Sequence, residues 1–109
     1  MWKAPISKYP TAVVYKSTEA GSNVFVNIGW AGFIGVLSAY SRTFGISEKY
    51  WKFADKTSYS GTPFMYLLRD LIQFSNDIES GLRILYQAKR TVGIYVGIGS
   101  FQDNLFKVV

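Results

Sequence analysis

Hydrophobic and polar residues alternate along the first half of the chain. In residues 23–29 (NVFVNIG), Val24, Val26 and Ile28 fall on one side of an extended strand, and Phe25 and Asn27 on the other. Residues 11–17 (TAVVYKS) are rich in β-branched and aromatic side chains. The turn-forming Glu19-Ala20-Gly21-Ser22 between the two segments predicts a hairpin. Residues 35–41 and 43–49 predict a second strand pair, in which Phe44, Ile46 and Glu48 share a face.

After residue 60 the period changes. Phe64, Leu67, Leu68, Leu71 and Ile72 form one apolar stripe at helical spacing, after Thr62 as N-cap and Pro63 in the first turn. A second helix follows, with Asn76 and Glu79 as an expected capping box and Ile78, Leu82 and Leu85 as its stripe. The helices are expected over about 62–75 and 77–89, antiparallel because the link is so short. Strand character returns over about 92–98 (VGIYVGI) and 104–109. Glycines at 93 and 97 mark a close approach by another group. Strands, two helices, then strands predict one α+β domain over residues 1–109, with helices packed on a sheet.

Composition narrows the chemistry. The 109 residues contain neither Cys nor His. That excludes a thiolate nucleophile, a disulfide and Ser-His-Asp catalysis, and it removes the commonest metal ligand, so no metal or cofactor is expected. The net charge of +5 comes from basic residues scattered along the chain, which argues against a nucleic-acid reader. No apolar run reaches the roughly 20 residues of a transmembrane helix, and Pro5 interrupts the segment where an export signal would be apolar. The compartment therefore stays open.

Few motifs survive inspection. Gly97-Ile98-Gly99-Ser100 starts like a dinucleotide fingerprint but lacks the third glycine and a following helix. Asp70, Asp77 and Glu79 suit a polar helix face and a first helical turn. Glu48 differs, because its predicted face is apolar while Lys49 points the opposite way. Either it reaches water from a frayed strand end, or it belongs to a polar site.

The segments GFIGVLSAYSRTFGISEKYW and GTPFMYLLRDLIQFSNDIESGLRILYQAKRTVGIYVGIGS resemble the acid ceramidase and N-acylethanolamine acid amidase branch of the N-terminal-nucleophile hydrolases. They are also similar to choloylglycine hydrolases and isopenicillin N acyltransferases. The resemblance spans most of residues 11–109. It implies a partial αββα sandwich and hydrolysis of amide bonds in N-acylated lipids, with a lysosomal or secreted setting. It also implies a nucleophilic Cys whose own α-amino group serves as base. That Cys, with an Arg and an Asp, is expected before residue 1, and a supporting Asn after Val109. The partner so implied is a second chain or segment carrying the Cys, and the ligand an acyl lipid. By the same resemblance Glu48 supports the nucleophile's amine or self-cleavage, and Trp30, Phe33 and Tyr50 line an acyl-chain pocket. The alternative is a degenerate, non-catalytic domain that binds lipid or a protein through exposed edges and aromatics.

Overall fold

A computed structural model describes residues 6–50 and 57–109. Six antiparallel strands form one sheet in chain order: β1 (Pro10–Tyr15), β2 (Phe25–Trp30), β3 (Ser38–Ser41), β4 (Phe44–Lys49), β5 (Tyr95–Ser100) and β6 (Leu105–Val108). Helices α1 (Phe64–Phe74) and α2 (Ile78–Gln87) connect β4 to β5 and cover one face. The fold is α+β, as the change of period predicts, with the helix pair packed on an antiparallel sheet. α1 lies over β3 and β4, and α2 over β5 and β6.

The core fills the space between helices and sheet. The α1 stripe supplies Leu67, Leu68, Leu71 and Ile72, and the sheet supplies Phe25, Ala39, Phe44, Ile46, Val96 and Ile98, all buried. Along β4 and β5 the pattern is strict. Phe44 and Ile46 oppose Ser100 and Ile98 and point toward the helices, while Gly45 opposite Gly99 and Ser47 opposite Gly97 point away. On β2 the inward pair is Phe25 and Asn27. The Asn27 amide nitrogen donates to the Gly35 carbonyl oxygen at 3.1 Å, which offsets part of the cost of burying it.

Several boundaries shift for local reasons. The strand expected over 35–41 begins only at Ser38. Gly35, at φ +104°, turns the chain over α1, where a Cβ would meet Met65, and the Val36 N–H donates to the Met65 carbonyl. Pro63 is the N-cap of α1, with no side-chain cap bond. The backbone of Thr62 instead engages the segment after α2, its N–H donating to the Lys89 carbonyl. The cap of α2 falls on Asp77 rather than Asn76, and Ser80 rather than Glu79 closes the capping box. Ser satisfies both ends here because its short hydroxyl reaches the Asp77 N–H at 3.3 Å.

A second acid completes that helix start from a distance. Asp103, in the β5–β6 turn, accepts from the Ile78 N–H at 2.8 Å. Asp103→Ala is therefore expected to lower stability by about 1 kcal/mol, as loss of a cap does. Urea unfolding of the two proteins measures the difference.

Candidate functional site

The outer face of the sheet sets the possibilities. Outward positions include Ala12 and Val14 on β1, Val26 and Ile28 on β2, Tyr40 on β3, Tyr95 on β5, and Phe106 and Val108 on β6. Ile28, Tyr40, Phe106 and Val108 are each at least half exposed. Among the outward strand positions Lys49 alone is charged. Isolated folds usually keep apolar patches of this kind small.

Glu48 sits on the other side. By strand parity it points with Phe44 and Ile46 toward the helices, opposite the buried Val96. It is half-buried, and its Oε2 is buried without a hydrogen-bond partner. Burial pushes the carboxyl above its ordinary value, and the adjacent Lys49 opposes the shift only in part. A carboxyl raised in the folded state adds stability below its unfolded value, and that stability is lost as pH rises through the folded value. Asp77 behaves oppositely. The Ser80 N–H holds its carboxyl below the ordinary value, so its contribution is present above that value and is lost as pH falls through the folded one.

Glu48→Gln should thus gain stability relative to the parent as pH rises above the ordinary carboxyl value of 4.5. The gain is at most about 1 kcal/mol, because water screens a half-buried group. Urea melts on both sides of that value test the sign. Parallel curves for the two proteins would mean that Glu48 titrates like a free carboxyl.

The aromatic residues of the expected acyl-chain pocket gather at the Glu48 end of the sheet but not around its carboxyl. Trp30 ends β2 with the outward parity of Val26 and Ile28, and pairs with Pro10. Phe33 lies in the β2–β3 turn, where its N–H donates to the Trp30 carbonyl at 3.1 Å. Tyr50 directly follows β4 and is exposed. Glu48, next to last in the same strand, is on the opposite face from Trp30, so a ligand touching both would wrap around the sheet end. The described cavities lie elsewhere.

A feature that sequence reading missed lies at the other end. A cavity of about 510 Å³ opens on the outer face beside the β3–β4 and β5–β6 turns. One cross-strand row forms it: Tyr40 opposite Gly45, Gly45 opposite Gly99, Gly99 opposite Phe106. The signal was available, because the glycines at 45 and 99 occupy outward positions on adjacent strands. Their pairing was not. Among the described residues no group of His, Cys, Asp and Glu could hold a metal, and no helix is long and apolar enough to cross a membrane.

No family model matches the chain. It is 40% identical over 111 residues to protein dcd1A of Dictyostelium discoideum, an alignment covering 96% of this chain and 25% of that protein. It is 38% identical over 101 residues to protein dcd1B of the same organism, covering 92% of this chain and 20% of that protein. The chain spans a quarter or less of the length of these relatives.

Proposed function

We propose that this chain is one helix-backed β layer of an amide hydrolase similar to acid ceramidase and N-acylethanolamine acid amidase, acting on N-acylated lipids. The supporting observation is the one-sidedness of the sheet: helices cover one face, and on the opposite face the described outward strand positions are apolar or small and polar, with Lys49 the one charged residue among them. In an αββα sandwich a second sheet packs on such a face at a spacing of about 10 Å.

In this reading the chain does not supply the nucleophile, since it has no Cys. A second chain or further segment brings the Cys, whose sulfur attacks the amide carbonyl. The amine leaves with a proton, and water then releases the fatty acid. Glu48 is the supporting carboxyl. Its unpartnered Oε2 lies on the helix side of the sheet, so an amine carried by that segment reaches it only by passing around the sheet end. Trp30, Phe33 and Tyr50 form the apolar approach at the same end of the sheet.

The test is release of fatty acid from an N-acylethanolamine and from a ceramide by a polypeptide containing both this chain and a Cys-bearing segment. Hydrolysis that disappears on Cys→Ala and slows on Glu48→Gln supports the reading. A folded assembly inert on both substrates ends it. A second reading, a non-catalytic domain that binds lipid or protein, is favoured by the β1 edge, where Val13, Val14 and Tyr15 are all exposed. Binding without turnover would select it.

A further inference from the structure

The cavity between Tyr40 and Phe106 has a floor made of backbone. A Cβ on Gly45 would come no closer than 4.0 Å to any neighbour, and one on Gly99 would touch only the Phe106 ring, at 3.5 Å, and the Leu105 carbonyl, at 4.0 Å. Gly45 therefore looks out into nearly open space, while the Phe106 ring lies against Gly99 and, more closely, against Gly97, where a Cβ would meet it at 2.9 Å. The walls are side chains: Tyr40 on one side, Phe101 and Phe106 on the other. Three strand spacings separate the Tyr40 and Phe106 backbones, roughly 14 Å. The result is a trough, with small residues in the middle and aromatic rims.

Its chemistry is equally one-sided. None of the lining residues is ionisable near neutral pH, in a chain with a net charge of +5. Asn104 and the Tyr40 hydroxyl are the polar side chains at its mouth, while the Ser41 and Ser100 side chains turn to the helix side of the sheet and are engaged there. Ser41 Oγ accepts from the Phe44 N–H at 3.1 Å and donates to the Phe44 carbonyl at 3.2 Å, and Ser100 Oγ accepts from the Asp103 N–H at 3.2 Å. A charged or strongly polar ligand would lose its hydration and find little in return. A hydrocarbon chain loses nothing and buries apolar surface against the rings.

From this complementarity we infer that the Tyr40–Phe106 trough is a binding site for a single neutral alkyl chain. Under the amidase reading, on which this assignment of a substrate part rests, the chain is the acyl tail of the N-acyl lipid. It would lie away from Trp30, Phe33 and Tyr50, at the opposite end of the sheet. A second β layer resting on the rims would roof the trough and leave its floor free.

The test uses straight-chain alkanols from octan-1-ol to dodecan-1-ol, which have no amide to hydrolyse. Binding is followed through the backbone amide resonances of Gly45 and Gly99. Affinity should rise about fourfold per added methylene. Gly99→Leu, which fills the trough, should weaken decan-1-ol binding at least tenfold while leaving the remaining amide spectrum folded; Gly45→Val should do the same. Affinity independent of chain length, shifts confined to other residues, or indifference to both substitutions would overturn the assignment. So would a longer polypeptide in which these amides are buried by protein and no alkanol binds. Amide hydrolysis without alkanol binding would remove the trough and leave the amidase reading; alkanol binding without hydrolysis would do the reverse.

Discussion

Phe44→Ala is expected to remove about 3–5 kcal/mol of stability, the range for deleting a fully buried aromatic ring. Phe44 is 2% exposed, and its ring reaches from β4 to the underside of α2 at Gly81. The helix approaches so closely because residue 81 has no side chain. A Cβ there would sit 2.8 Å from the Phe44 Cζ and 3.7 Å from the Ile98 Cδ1. Removing the ring leaves a cavity beneath a helix that cannot sink further without breaking its caps. Since a domain of this size has only about 5–15 kcal/mol in total, urea unfolding should show a large fall in midpoint. The reciprocal change identifies the contact. Gly81→Ala gains about 1 kcal/mol of helix propensity yet should still destabilise, because the ring has nowhere to go. Combining it with Phe44→Leu should recover part of the loss, a coupling of about 0.5–3 kcal/mol in a double-mutant cycle. Additive effects would show that the two positions do not press on each other.

Gly61→Ala is the second large effect, about 2–3 kcal/mol from lost hydrogen bonds and a backbone displacement. A Cβ on residue 61 would lie 2.5 Å from the Arg90 carbonyl carbon and 2.7 Å from the carbonyl oxygens of Lys89 and Arg90. All three obstacles are backbone atoms, so no rotamer change relieves them. Immediately beyond, Thr62 and Arg90 form a parallel bridge: the Thr62 N–H donates to the Lys89 carbonyl at 2.7 Å and the Thr91 N–H to the Thr62 carbonyl at 3.3 Å. This clasp ties the start of α1 to the end of α2. The substitution should accelerate hydrogen exchange at the Thr62 and Thr91 amides before the sheet is affected. Unchanged exchange there would contradict the clasp.

The α1 stripe was fully legible, because five apolar residues at helical spacing admit one packed face. The start of α2 was legible to within one residue: the local acids and hydroxyls announce a cap, but Asn76 and Asp77 are chemically near-equal. Glu48 was legible as an acid on an apolar strand face. Its missing hydrogen-bond partner was not, since that depends on which side chains surround the strand end. Asp103 as a remote cap for Ile78 was invisible, because the two residues lie 25 positions apart.

Alternation in β2 and the apolar stripes of the helices fixed the element types from sequence alone, through the periods of 2 and 3.6 residues that backbone geometry imposes. The absence of Cys and His likewise restricted the chemistry before any fold was known. What the residues could not declare was the choice between faces. On β2 the more uniformly apolar side, Val26 with Ile28, is the one left bare, while Phe25 and the polar Asn27 turn inward. Only tertiary structure decides this, because both sides satisfy the pleat equally. The helices settle on the side where Phe25, Ala39, Phe44 and Ile98 come together from separate strands. The same assembly pairs Gly45 with Gly99, residues 54 apart in the chain, and so creates a trough that neither strand contains by itself.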